Sequence, residues 1–232
     1  MTKPLTAMLR SPAIRLPLNL LPLALLSLTM GGCGGVFDSK LAAPQTYVLR
    51  LPGNTATAAS PAAGSVLVQR PEAGPGLDSN RMALLRTDRR FDFFAASLWA
   101  APAPDVVESV IVDALRGSGA FAAVFDDAAP FTPRYDLRVT MRRFEADYTA
   151  GGSAPTVHVV LDCTLGRHRD RALLASFTAQ GSAAAGEDRL TAVVAAFEAA
   201  TATAVAEVTR AVTTAVGNDE SAVKTSTAPS TP

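Results

Sequence analysis

"RYDLRVTMRRFEADY", residues 134–148, carries the fold. Tyr135, Leu137, Val139 and Met141 fall on one side of a period-two repeat, and Arg134, Asp136, Arg138, Thr140 and Arg142 fall on the other. That alternation describes a strand with one face on a core and the other in water. After Arg143 the parity slips, and Phe144, Ala146 and Tyr148 become the less polar set. One extra residue near 142–144, a β-bulge, accounts for the slip.

The same pattern continues downstream. "TVHVVLDCTL" (156–165) turns Val157, Val159, Leu161, Cys163 and Leu165 inward and His158, Asp162 and Thr164 outward. With "ALLASFTAQG" (172–181) as a third run, residues 134–181 read as an antiparallel meander. Upstream, "QTYVLRL" (45–51) and "SVLVQR" (65–70) are short β-prone runs bounded by Pro and Gly, and "RMALLRT" (81–87) is a weaker third. Val106, Val107, Val110, Ile111, Ala114 and Leu115 recur at helical spacing, with Asp105 as an N-cap and Gly117 as a stop. A second helix spans about 188–216, where Leu190, Val193, Val194, Phe197, Thr201, Ala204, Val205, Val208 and Val212 form one stripe. The expectation is a single α+β domain over 45–216: a mostly antiparallel, curved sheet of about six strands with two amphipathic helices on one face.

The ends of the chain have other compositions. Lys3, Arg10 and Arg15 precede an apolar run from Leu16 to Met30, and no acidic residue interrupts them. A basic segment, a short apolar core and small residues at a cut site describe an export signal over 1–32. A spanning helix needs about 20 apolar residues, and this run is shorter and broken by Pro17 and Pro22. "TMGGC" (29–33) resembles the lipobox of bacterial lipoproteins, which makes Cys33 the expected site of S-diacylglycerol and N-acyl attachment. The alternative is an ordinary signal cut near Gly31 or Gly32, leaving Cys33 as a free thiol. Gly34, in place of Asp, favours the outer membrane of a Gram-negative envelope by resemblance to the enteric sorting rule, with the domain facing the periplasm. Residues 33–44 read as the lipidated cysteine and a tether, 52–64 as a loop, and 217–232 as a polar, disordered tail.

Losing Lys3, Arg10 and Arg15 leaves 18 basic side chains against 21 acidic ones, which gives no reason to expect a nucleic-acid partner. With Cys33 on lipid, Cys163 has no disulfide partner. His158 and His168 are the only histidines, and no nucleophile motif or metal-spaced cluster accompanies them, so neither an enzyme nor a cofactor is expected. Two features remain for partner docking. The outward row Arg134, Arg138 and Arg142 fits an acidic partner or a lipid headgroup, or is simply a solvated sheet face. Phe91, Phe93, Phe94, Leu98 and Trp99 form either a docking patch or packing beneath the first helix, with Trp99 as the largest plug.

The stretch "VLVQRPEAGPGLDSNRMALLRTDRRFDFFAASLWAAPAPDVVESVIVDALRGSGAFAAV" (66–124) resembles the ABC-type transport auxiliary lipoproteins. Arg81, Trp99, Pro102, Pro104, Leu115, Gly119, Phe121 and Val124 carry the pattern, and "YDLRVTMRRFEAD" and the long last helix fit it over about 45–215. The resemblance implies a non-catalytic periplasmic partner of an MCE-domain protein and its ABC permease and ATPase, moving lipids or other hydrophobic molecules. It also implies assembly into a ring for some members. A structural lipoprotein binding an outer-membrane protein or glycan is the alternative.

Overall fold

The computed structural model describes residues 43–51 and 63–227. The export signal, Cys33, most of the tether, the 52–62 loop and the last five residues lie outside the described residues. In chain order the elements are β1 (Gln45–Tyr47), β2 (Ala63–Val68), β3 (Glu72–Ala73), β4 (Arg81–Leu85), β5 (Phe91–Trp99), α1 (Ala103–Gly117), β6 (Phe121–Phe125), β7 (Tyr135–Asp147), β8 (Thr156–Arg167), β9 (Leu173–Ala184) and α2 (Leu190–Thr227).

One sheet is built around β7. On one side β8 runs antiparallel to it along its whole length, and β9 runs antiparallel to β8. Its other side is shared by three short strands, all parallel to it: β2 at Tyr135–Leu137, β3 at Thr140–Met141 and β4 at Ala146–Asp147. β6 continues the sheet beyond β2, again parallel. β5 pairs antiparallel with β4, and β1 pairs parallel with β5.

Among the described residues the sheet is therefore mixed and nine-stranded, which corrects the expected antiparallel sheet of about six strands. Period-two alternation says which face a residue takes, not which way the neighbouring strand runs. Direction is set by the connections: between β2 and β6 the chain passes through three strands and α1, and re-enters in the same sense. β5 and β6 were not expected as strands, and β3 has only two residues.

The bulge in β7 falls where the parity slips. Register shifts between Met141 and Arg143, so Arg142 is the extra residue. Tyr135, Leu137, Val139, Met141, Phe144 and Ala146 are all buried, as are the inward residues of β8. α2 lies over β8 and β9 and seats its expected stripe there, with Val193, Phe197, Thr201, Ala204, Val205, Val208 and Val212 buried. By length and hydropathy α2 could cross a membrane, but its apolar stripe packs on the sheet and makes it a core helix. α1 covers β2 and β6. It starts after Pro102, which has the extended backbone of an N-cap and makes no side-chain cap bond. Asp105 is therefore in the first turn rather than at the cap. There its carboxylate meets the helix N-terminus and accepts a 2.5 Å hydrogen bond from Arg70.

α2 also runs through residues 217–227, which the sequence had assigned to a disordered tail. The reason is a polar cluster that composition does not reveal. Asp219 is buried and is bound by Arg167 of β8, while the Tyr135 hydroxyl shares its one proton between the carboxylates of Asp219 (3.0 Å) and Glu220 (2.9 Å). Arg134 closes the group with a 3.1 Å contact to Glu220. The hydrogen bonds from Arg167 hold the Asp219 carboxyl below its ordinary range, against the opposing effect of burial. Burial and two carboxylate acceptors keep the Tyr135 phenol protonated.

A carboxyl with a lowered folded pKa contributes stability above its unfolded value, near 3.9, and loses it as pH falls through the folded value. The last turns of α2 are thus expected to loosen below about pH 4. Amide exchange over 218–225 should rise in acid in the native chain. In Asp219→Asn it should already be fast at neutral pH and change less.

Candidate functional site

The outward residues of β7 share one open face of the sheet. Arg134, Arg138 and Arg142 are all exposed, as the alternation requires. Their neighbours differ. Arg134 is engaged by Glu220, and Arg142 lies 3.8 Å from Asp162 on β8. Arg138 pairs in register with Thr164 and makes no ion pair among the described residues. The three stand along the strand rather than at a single point, because positions four residues apart on a strand are about 13 Å apart.

The aromatic cluster divides. Trp99 is 1 % exposed and packs on Phe144 and Phe197, at ring separations of 5.8 and 5.1 Å. It sits in the core against Phe197 of α2, so it is withdrawn as a docking residue. Its indole N–H has no hydrogen-bond partner among the described residues. Phe94 is half-buried beside Tyr148, and Leu98 is also half-buried. Phe91 and Phe93 share the open face with Ala83 and Leu85. Phe91 is 42 % exposed, with its ring edge-on to Phe93 at 5.3 Å. The Arg81 guanidinium lies 3.7 Å from the centre of the Phe93 ring, a cation–π contact that caps the half-buried aromatic.

A third surface had no signal in the sequence. A groove of about 870 Å³ runs between α1 and α2, with residues 48–51 along one side. Val110 and Ala114 of α1 and Val205 and Ala206 of α2 supply apolar walls, and Asp113 and Arg210 stand at the rim. Its walls come from segments some 90 residues apart, so only the packing of the two helices creates it.

The remaining candidates for chemistry are dispersed. His158 is half-buried on the open face opposite Glu145. The Nδ1 of His168 lies 2.7 Å from Asp136 at the other end of the sheet. No group of histidine, cysteine and carboxylate side chains suited to a metal occurs among the described residues. Cys163 is buried, and burial pushes its thiol up to about 12. A maleimide reagent at about pH 8 should leave Cys163 untouched in the folded protein and label it after unfolding. Mass spectrometry of the two samples checks this, and labelling without denaturant would place the β8 face differently.

Comparison with known proteins gives the lineage. No curated protein matches the chain. Among solved structures, protein XCC0632 from Xanthomonas campestris superposes with a TM-score of 0.69 at 27 % identity, covering 76 % of this chain and 99 % of that one. A crystal structure of an uncharacterised protein superposes at 0.58 with 16 % identity, covering 74 % and 99 %, a likeness of fold. The family model described as the ABC-type transport auxiliary lipoprotein component matches residues 47–209, which takes in all of β2 to β9, α1 and α2 as far as Thr209. This chain belongs to the ABC-type transport auxiliary lipoprotein family.

Proposed function

We propose that the protein is the membrane-anchored accessory subunit of an MCE/ABC-type system that carries lipids or other hydrophobic molecules across a Gram-negative envelope. The single observation that carries this reading is the family match across nearly the whole domain. The lipobox-like "TMGGC" supplies the anchor: Cys33 bears the acyl chains, and Gly34 directs the product to the outer membrane. Each buried CH₂ of such a chain contributes about 0.8 kcal/mol, so several chains hold the protein durably where one does not.

The domain works by docking. The permease, the ATPase and the MCE-domain protein supply the path and the energy. The partner meets the open sheet face around Arg134, Arg138 and Arg142, where Arg138 makes no ion pair among the described residues. Assembly into a ring belongs to the same reading. The sheet supports it by ending on β9, whose first residue, Leu173, is 65 % exposed.

Fractionation with intact-mass measurement tests the anchor. The native chain should sediment with outer membranes and carry the mass of the acyl groups on Cys33. Cys33→Ala should appear in the soluble periplasmic fraction. A native chain that is soluble and unacylated would remove the anchor from this reading.

A further inference from the structure

β1 runs parallel to β5, with Gln45 opposite Ser97 and Tyr47 opposite Trp99. β5 begins at Phe91, directly after the tight turn that closes the β4–β5 hairpin. The N-terminal end of β1 therefore faces the hairpin end of the sheet. Eleven residues, 34–44, separate Cys33 from Gln45, a reach of at most about 40 Å when extended. From the level of Arg81 to the tip of the hairpin at Thr87 is about 20 Å of strand. The tether is long enough to bring Cys33 level with the tip. The β8–β9 turn, "GRHRDR" (166–171), lies beyond the opposite end of β7, about 40 Å away.

The tip has the composition of a surface contact. Residues 86–90 form a turn closed by hydrogen bonds from the Arg86 amide to the Arg90 carbonyl (2.9 Å) and from the Arg89 amide to the Arg86 carbonyl (2.8 Å). Arg86, Arg89 and Arg90 are all exposed. Arg86 pairs with Asp92 at 2.7 Å and Arg90 with Asp88 at 2.6 Å. Arg89 makes no ion pair among the described residues and takes a left-handed backbone, φ 64°. Phe91 follows at once with its ring part-exposed on the outer face. The hairpin thus offers one uncommitted guanidinium, two more shared with carboxylates, and an aromatic ring one step behind them.

We propose that the β4–β5 hairpin rests on the surface of the bilayer that holds Cys33, with Arg89 at the lipid phosphates and Phe91 at headgroup depth. The proposal rests on the reading of Cys33 as lipid-bearing. The contact is shallow, since Asp88 and Asp92 offset part of the charge and Phe91 is a single ring. Its effect is orientation rather than affinity: the anchor supplies the binding, and the hairpin fixes which end faces the lipid. The β8–β9 turn, Arg134 and the end of α2 then point away from the membrane, toward a partner.

The test uses the full-length lipidated protein in vesicles of phosphatidylethanolamine and phosphatidylglycerol that carry a lipid-borne nitroxide. An environment-sensitive thiol dye is placed at the hairpin tip with Thr87→Cys, or at the far turn with Arg169→Cys. Both positions are exposed, and acylated Cys33 and buried Cys163 stay unlabelled. The expected result is quenching and a blue shift at position 87, none at position 169, and a loss of quenching at 87 when Arg89→Glu is added. An acylated protein with position 87 no more quenched than position 169 overturns the docking and leaves the anchor standing. A protein whose intact mass shows no acyl chain on Cys33 overturns both.

Discussion

Replacing Phe197 by alanine is expected to cost the domain about 3–5 kcal/mol, the range for emptying a large aromatic site in a core. Phe197 is wholly buried and joins Trp99 and Phe144, each at 5.1 Å between ring centres. The three rings come from β5, β7 and α2, so the lost contacts are those that hold the long helix on both halves of the sheet. Cavities of this kind collapse poorly when every wall belongs to a different rigid element. Urea denaturation of the mature domain checks the figure. Phe91→Ala, which removes a part-exposed ring, should cost far less. A loss below about 1 kcal/mol for Phe197→Ala would mean that α2 is not seated as described.

Gly181→Val is expected to be at least as damaging, about 3 kcal/mol or more. A Cβ at position 181 would stand 2.0 Å from the carbonyl oxygen of Ala200 and 3.0 Å from the Thr203 Cβ. The obstacle is helix backbone, which cannot turn aside as a side chain can. Only lifting α2 off β9 makes room, and that exposes the stripe from Val193 to Val212. Gly186 provides the control, because a Cβ there meets nothing within 4 Å. Gly186→Ala should leave the melting temperature almost unchanged. Equal behaviour of the two variants would remove the close helix–strand approach.

How far the sequence foretells this structure follows from what each pattern encodes. The inward set of β7 and its bulge were legible, since alternation and its slip report faces directly. The stripe of α2 was legible for the same reason at a period of 3.6. Strand direction was not, and the parallel pairs of β2, β3 and β4 with β7 had no local signature. β5 was hidden because its own bulge, between the pairs Arg81–Leu98 and Ala83–Phe93, breaks the alternation in "FDFFAASLW". β6 was hidden in "FAAVF", too short and alanine-rich to separate from the turn before it. The last turns of α2 look like a tail until Arg167 and Tyr135, 52 and 84 residues away, are placed against Asp219.

Candidate surfaces followed the same logic. The arginine row sits on the face that alternation assigns to it. The aromatic cluster split, because its members belong to both sides of a bulged strand. Trp99 went to the core and Phe91 to the surface. The groove between α1 and α2 depends wholly on tertiary packing and was invisible. The transport auxiliary family entered as a resemblance carried by Arg81, Trp99, Pro102, Gly119 and Phe121, and the family match over residues 47–209 bears it out.

In-cell crosslinking of the full-length chain, tagged at its C-terminus, with mass spectrometry of what is captured, bears most directly on the assignment to a transport system. The expected capture is an MCE-domain protein or an ABC permease, weakened when Cys33→Ala removes the anchor. Capture of an outer-membrane protein or glycan-bound material, with no transporter subunit in either version, would contradict it and assign the chain to envelope assembly.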